Sequence, residues 1–273
     1  MQTKILVALL FILLAGLGGV GYAQASPSTG FYERGGDIFD DWGVCRTSAL
    51  GKNGFYQLTE VGFRPIIVFE SLGERADLAY ALGEEIAQKY PDRFQRAEAI
   101  FYFVRDRVEY TPDEDQFSYD EFAQNADEVA KAIKENGVAY GDCEDSAVLL
   151  AVMFRAAGFR SAIVVGEGHT ATLVYLPGYS KTSSIFELGG ERGWVWAEAT
   201  GKNNPFGWVP KEFIGVRLGA YEITDESLNL QEPPKAPAVA VSEGGAASSG
   251  LPFPFFSVLI FLWFLSLFRR RRV

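Results

Sequence analysis

The chain is 273 residues long, and its 35 acidic and 25 basic side chains give a formal net charge of −10 at neutral pH. An acidic surface repels the phosphate backbone, so this composition argues against nucleic acid as a partner. Apolar residues make up 48% of the chain, which is enough for one globular domain with a substantial core.

The N-terminal segment has the three parts of a secretory signal. Lys4 precedes an apolar run over residues 5–20, and Ala23-Gln24-Ala25 provides the small residues of a cleavage site. We therefore predict that residues 1–25 are a signal peptide and that the mature protein is exported. Residues 26–226 are then predicted to form the globular domain.

The order of the predicted elements indicates the fold class of this domain. Apolar periodicity predicts helices over 74–89, 93–108, 119–135 and 143–157, and β-branched or aromatic runs predict strands over 161–165, 170–176 and 194–199. Because the helices precede the strands along the chain, the predicted class is α+β.

The last predicted helix begins at a cysteine with polar neighbours. In Gly141-Asp142-Cys143-Glu144-Asp145, Asp142 is a natural N-cap and Asp145 completes a capping box. The Cys143 sulfur is therefore expected at a helix N-terminus, where unpaired N–H groups and the helix dipole favour the thiolate. This setting makes Cys143 a candidate nucleophile.

A histidine and an acid on later strands could complete a catalytic centre. His169, the only histidine of the chain, follows a Gly-Glu-Gly turn in a strand-like run, so it can serve as the base. Glu198 lies in another such run, on the same face as Trp194 and Trp196 at period two. Two neighbouring antiparallel strands could hold the imidazole and the carboxylate side by side.

The order of the candidate catalytic residues resembles that of the transglutaminase-like superfamily. The chain has Cys143 on a helix, then His169 on a strand, and then the acid Glu198 shortly before a threonine. The resemblance covers roughly residues 94–210 and implies a papain-like core, in which the nucleophile helix packs on an antiparallel sheet. It also implies a Cys143-His169-Glu198 triad that acts on amide bonds, as a cysteine peptidase or amidase.

Within the superfamily, the segment Gly141-Asp142-Cys143-Glu144-Asp145 is most similar to bacterial transglutaminase-like cysteine proteinases, some of which cleave cell-surface adhesins and need calcium. Animal transglutaminases usually have tryptophan where this chain has Glu144. The chain also departs from the family at Glu198, because the third catalytic residue is more often aspartate. A cross-linking transamidase, which passes the acyl group to an amine, remains an alternative.

The two cysteines also allow a non-catalytic interpretation of the domain. In an exported chain, Cys45 and Cys143 could form a disulfide, and the domain would then be a surface binding module.

The carboxylates around Cys143 oppose its ionisation. Each like charge at about 6 Å in water raises the cost of a thiolate by roughly 0.7 kcal/mol. The helix dipole offsets only about 0.3–1 kcal/mol. The compensating charge could be the His169 imidazolium or a Ca²⁺ ion held by Asp142 and Glu144, although the chemistry itself requires no cofactor. Alternatively, Asp142 and Asp145 only cap the helix and Glu144 faces solvent.

The C-terminal part predicts a tether. Residues 227–250 are rich in Pro, Gly, Ala and Ser and read as a flexible linker. Residues 251–268 are almost entirely apolar and precede four arginines, which predicts that 251–273 are a transmembrane anchor or a sorting tail. The arginines would stay in the cytoplasm, so the catalytic domain is expected outside it, acting on protein or peptide substrates at the cell surface.

Overall fold

The structure is a computed structural model that describes residues 30–59, 62–72, 78–224 and 238–242. The predicted signal peptide and the predicted anchor lie outside the described residues, as does most of the predicted linker. Among the described helices, none has both the length and the apolarity that a membrane span needs.

A five-stranded sheet opens the described chain, in the order β1-β2-β3-β4-β5. The sequence patterns did not predict it, because its strands are short and mix polar with apolar residues. Its two-residue turn at Gly35-Gly36 has φ of 69° and 90°, which suits glycine. The strands are β1 (Phe31–Arg34), β2 (Asp37–Asp40), β3 (Cys45–Gly51), β4 (Gly54–Thr59) and β5 (Gly62–Arg64).

In the part of the chain that the structure describes, six α-helices follow this sheet, and they confirm the α+β class. The helix predicted over 119–135 begins only at Ala126, where Asn125 caps it through a capping box with Glu128, and residues 119–125 are not helical. A separate short helix precedes this region and ends at Ser118, which adopts a left-handed conformation (φ 64°). The helices are α1 (Ile66–Phe69), α2 (Leu78–Lys89), α3 (Arg93–Arg105), α4 (Asp113–Phe117), α5 (Ala126–Asn136) and α6 (Cys143–Ala156).

A buried ion-pair network joins the first sheet to the helices. The Arg46 guanidinium contacts Asp40 at 2.6 Å, Glu70 at 3.0 Å and Glu128 at 2.8 Å, and the Arg46 side chain is fully buried. Loss of one partner from such a network typically costs about 3–5 kcal/mol, since it leaves an uncompensated buried charge. The network therefore holds the N-terminal sheet against α5.

Helix α6 lies at the centre of the molecule. All its residues from Glu144 to Phe154 are buried, which is expected for a helix that is apolar on every side. A Cβ at Gly83 of α2 would lie 2.4 Å from the Met153 oxygen, so glycine is what permits the close approach of α2 and α6.

The remaining strands form a closed antiparallel barrel in the order β10-β11-β9-β8-β12-β13. The Thr172 hydroxyl of β9 donates to the Ala147 oxygen at 2.8 Å and ties the barrel to α6. The strands are β8 (Ser161–Gly166), β9 (His169–Tyr175), β10 (Phe186–Leu188), β11 (Glu191–Ala197), β12 (Arg217–Glu222) and β13 (Ala238–Ser242). A separate parallel pair, β6 (Val108–Tyr110) and β7 (Ala139–Gly141), leads into α6.

Strand β13 corrects the predicted domain boundary. It lies within residues 227–250, so the prediction of a flexible linker is wrong for 238–242, and the domain does not end at 226. Strand β13 pairs with both β10 and β12, and the side chains of Ala240 and Ser242 are buried. Small residues suggested a linker, but alternating Ala and Val fit a tightly packed strand.

Candidate active site

Cys143 is the first residue of α6, and a capping box fixes the start of this helix. The Asp142 N–H donates to Asp145 Oδ2 at 3.3 Å, which satisfies one of the exposed donors of the first turn. Asp145 in turn accepts from the Gln124 backbone N–H and side-chain amide, each at 2.7 Å. A Cβ at Gly141 would lie 2.4 Å from the Asp145 carboxylate, so glycine is needed where β7 turns into the helix.

The sulfur of Cys143 lies among groups that oppose its ionisation. The half-buried thiol donates to Glu144 Oε2 at 3.2 Å. Burial, followed by the charges of Glu144 and Asp142, raises the pKa of Cys143 well above its usual value, while the Thr170 backbone N–H acts in the opposite direction. Without a compensating positive charge, the sulfur is therefore a thiol at neutral pH.

His169 and Glu198 are in direct contact. Strands β9 and β11 pair with Thr172 opposite Ala197, and His169 begins β9 while Glu198 follows β11. His169 Nε2 is hydrogen-bonded to Glu198 Oε2. Glu198 Oε1 accepts from the Thr200 hydroxyl and from the Thr200 N–H, the latter at 3.2 Å.

The charge state of Glu198 follows from these bonds. Burial opposes the carboxylate, but the hydrogen bonds and charge of His169 and the two donors of Thr200 outweigh it, so the pKa of Glu198 is lowered. Glu198 is thus an anion at neutral pH. An anionic partner fixes the orientation of an imidazole and stabilises its protonated form.

Aromatic rings define the plane of the His169 imidazole. It stacks on Phe213 with a centroid distance of 5.7 Å and an interplanar angle of 8°, and on Trp196 at 6.4 Å and 21°. Because Glu198 occupies Nε2, Nδ1 is the nitrogen left to exchange a proton with a nucleophile.

Of the three predicted catalytic residues, His169 and Glu198 are in contact, whereas Cys143 approaches β9 at Thr170. Helix α6 is tied to this strand, and the Cys143 sulfur interacts with the N–H of Thr170, the residue after His169. Both cysteines are free thiols, and Cys45 is only 3% exposed, with its sulfur 3.9 Å from the Thr47 hydroxyl. The structure therefore contains no Cys45–Cys143 bond.

The carboxylates beside Cys143 belong to a larger acidic cluster. Asp142 and Glu144 were expected there, and Asp113, Glu121 and Asp145 join them, in three groups whose ligand atoms lie within 4.8 Å of one another. Glu144 is 4% exposed, which contradicts the alternative interpretation that it faces solvent. Burial, and then the charge of Asp142, raises the pKa of Asp113 and of Glu121 to about 7.

The segment that carries these residues matches a family model. Residues 80–213, from α2 to the short 3₁₀ turn at Lys211–Phe213, match the model of the Transglutaminase-like superfamily. The chain contains a transglutaminase-like domain. The match includes Cys143, His169 and Glu198, and it ends before strands β12 and β13.

One solved structure with some similarity is described as a putative cysteine protease from Cytophaga hutchinsonii. The sequences are 12% identical, the alignment covers 60% of this chain and 57% of that chain, and the TM-score is 0.29. The chain thus spans less than two thirds of that protein. No curated protein matches the sequence.

The acidic cluster of the transglutaminase-like domain has the donor atoms that a hard cation needs. Asp113 Oδ1, Asp142 Oδ1 and Glu144 Oε1 are buried and lack a hydrogen-bond partner among the described residues. Unpaired buried carboxylate oxygens cost free energy unless a proton or a cation compensates them. Because Ca²⁺ takes six to eight oxygen ligands, largely from carboxylates, the cluster fits this ion.

Two tyrosines complete the surroundings of the thiol in the transglutaminase-like domain. Tyr56 of β4 is buried, and burial, followed by the charge of Glu144, raises the pKa of its hydroxyl. Tyr110 ends β6 opposite Gly141 and is 57% exposed. Sequence reasoning missed Tyr56, Asp113 and Glu121. Each reaches the site through a contact distant in sequence, without a local motif.

We predict that iodoacetamide at neutral pH alkylates Cys143 faster than Cys45. Cys143 is half-buried, whereas Cys45 is almost inaccessible, and alkylation requires access as well as a thiolate. Peptide mapping by mass spectrometry of the labelled, unreduced protein measures both rates. If neither cysteine reacts until a reductant is added, the disulfide interpretation is correct instead.

Proposed function

We propose that the transglutaminase-like domain is a thiol enzyme that acts on amide bonds of proteins or peptides, as a cysteine peptidase or amidase. The observation that carries this proposal is the buried, anionic Glu198 bonded to His169 Nε2. This contact leaves Nδ1 available as the base, on the same strand, β9, that the Cys143 sulfur approaches at Thr170. An acid, a base and a nucleophile in this order are the parts of a catalytic triad.

In the proposed reaction, Nδ1 of His169 takes the Cys143 proton as the sulfur attacks the amide carbonyl carbon. The carbonyl oxygen becomes an oxyanion, for which the Cys143 backbone N–H is a donor candidate. His169 then gives its proton to the leaving amine, and a thioester forms. Water, deprotonated by His169, attacks the thioester, releases the acid and regenerates the thiol.

Glu198 supports each proton transfer without moving a proton itself. Its carboxylate accepts from Nε2, so the neutral ring carries its proton there and presents Nδ1 as the base. The same carboxylate stabilises the imidazolium that forms during attack. The glutamate side chain is longer than the more usual aspartate, and the two hydrogen bonds from Thr200 fix its position.

Calcium is the second part of the proposal. We propose that Asp142 and Glu144, together with Asp113 and Glu121, hold a Ca²⁺ ion. A divalent cation there would offset the carboxylates that raise the pKa of Cys143, so less free energy would be needed to form the thiolate. The three unpaired oxygens of the cluster support this assignment.

The location of the enzyme is also proposed. Residues 1–25 would direct export, and residues 251–273 would attach the protein to the membrane, with the transglutaminase-like domain outside the cytoplasm. The substrate would then be a protein or peptide at the cell surface.

The experiment uses the purified mature chain in detergent, with a labelled unfolded protein and a glutamine-containing peptide as substrates. New peptide termini indicate a peptidase, and ammonia release indicates an amidase. Incorporation of an added primary amine, detected as a mass increase, would identify the alternative transamidase. Absence of all three activities with calcium present, under conditions in which the protein is folded, would contradict the proposal.

A further inference from the structure

The His169 imidazole rests on a phenylalanine at the end of the matched region. Phe213 lies nearly parallel to the imidazole, at 5.7 Å, and is 5% exposed. A Cβ at Gly166 would lie 2.5 Å from the Phe213 ring, so this ring fits against the hairpin that carries His169. The Phe213 ring also stacks on Trp196, with a centroid distance of 5.4 Å.

The backbone around Phe213 is held by a serine of the last strand. Ser242 Oγ donates to the Phe213 oxygen at 3.0 Å and accepts the Gly215 N–H. The Ser242 N–H also donates to the Val216 oxygen, at 3.5 Å. Phe213 ends a single 3₁₀ turn, an element with few hydrogen bonds of its own, so these contacts fasten the turn to the barrel.

This serine comes from strand β13, which lies beyond the residues that match the family model. Pairing with β10 and β12 fixes the strand, with Ser242 opposite Phe186. The chain of contacts therefore runs from Ser242 to the Phe213 backbone, from the Phe213 ring to the His169 imidazole, and from there to Glu198.

We propose that Ser242 is a positioning residue for His169, so that the catalytic geometry depends on the C-terminal strand β13. The proposal rests on the proposed function, in which His169 is the base. Glu198 fixes Nε2, but a single hydrogen bond leaves the ring free to rotate about it. The Phe213 ring, held by Ser242, fixes the plane of the imidazole and therefore the direction of Nδ1.

The kinetic test compares Ser242→Ala with Ser242→Thr, which keeps the hydroxyl, and with Phe213→Leu. The matched control is Val241→Ala, which changes an exposed side chain on the same strand. Ser242→Ala and Phe213→Leu should each lower kcat roughly tenfold with little change in KM, because misplaced catalytic groups slow chemistry more than binding. Ser242→Thr should restore most of the loss, and Val241→Ala should match the wild type.

A second readout does not need activity. Because His169 is the only histidine, the imidazole signal in an NMR spectrum of the mature Cys143→Ala protein belongs to this residue alone. Adding Ser242→Ala should shift and broaden that signal, as the ring-current field of Phe213 changes and the ring gains mobility.

An unchanged imidazole signal in the Ser242→Ala protein would overturn the proposal, as would an unchanged kcat. If the wild-type chain shows no turnover, the proposed function fails and the NMR signal alone decides the role of Ser242. If Ser242→Ala does not fold, as judged by circular dichroism, the Phe213→Leu protein supplies both measurements.

Discussion

Replacing Cys143 by alanine is expected to abolish turnover, with a loss of at least about 10⁴-fold in kcat/KM and an unchanged fold. Only a cysteine can form the thioester, and Cys45, the other cysteine of the chain, is buried. His169→Ala should have a comparable effect, because without the base the thiol keeps its proton. The matched control is Cys45→Ala, which should retain activity.

Glu198→Ala should lower turnover less than either of these substitutions. His169 would remain stacked on Phe213 and Trp196, although its tautomer would no longer be fixed. Initial rates over a range of substrate concentrations, with circular dichroism as the folding check, separate kcat from KM. Full activity in Glu198→Ala would show that another group orients the ring, and full activity in Cys143→Ala would exclude the thiol mechanism.

Chelation of calcium is expected to lower both activity and thermal stability. A ligand that binds only the folded state at about 100 times its Kd stabilises that state by about 2.7 kcal/mol. Activity should fall because the carboxylates would then oppose thiolate formation without compensation. Calorimetric titration of the mature protein with calcium measures the affinity, and differential scanning calorimetry measures the change in Tm.

The double variant Asp142→Asn with Glu144→Gln should lose calcium binding, and its Tm should no longer depend on calcium. Glu135→Gln is the matched control, since it removes one exposed charge on α5 outside the acidic cluster. Absence of binding at millimolar calcium, or unchanged binding in the double variant, would remove the metal from this site. His169 would then be the positive charge available to the thiolate.

The sequence predicted the parts of the site that local rules determine. Asp142 and Asp145 form a capping box within one helical turn, so the start of α6 at Cys143 could be read directly from the chain. The contact of His169 with Glu198 needed two strands to be neighbours, which period-two patterning and the family resemblance together indicated. These features depend on few residues.

The parts that were missed depend on packing between distant segments. Asp113 and Glu121 lie close to Asp142 and Glu144, and the pairing of β6 with β7 brings the end of β6 to the start of α6. The N-terminal sheet lacks a clear alternation, and β13 is built from small residues whose composition is typical of linkers. In each case, the position of a segment depends on the distant segment that packs against it, and its own sequence does not determine that position.

Closure of the barrel by β13 determines where the chain can be truncated without exposing strand edges. Without residues 238–242, β10 and β12 would each expose a row of unpaired backbone N–H and C=O groups. Such edges pair with strands of other molecules and promote aggregation or domain swapping. A recombinant protein that stops at 226 would therefore be expected to self-associate. One that stops at the last matched residue, 213, also loses β12 and exposes the edge of β8, whereas one that extends through Ser242 keeps its sheet closed.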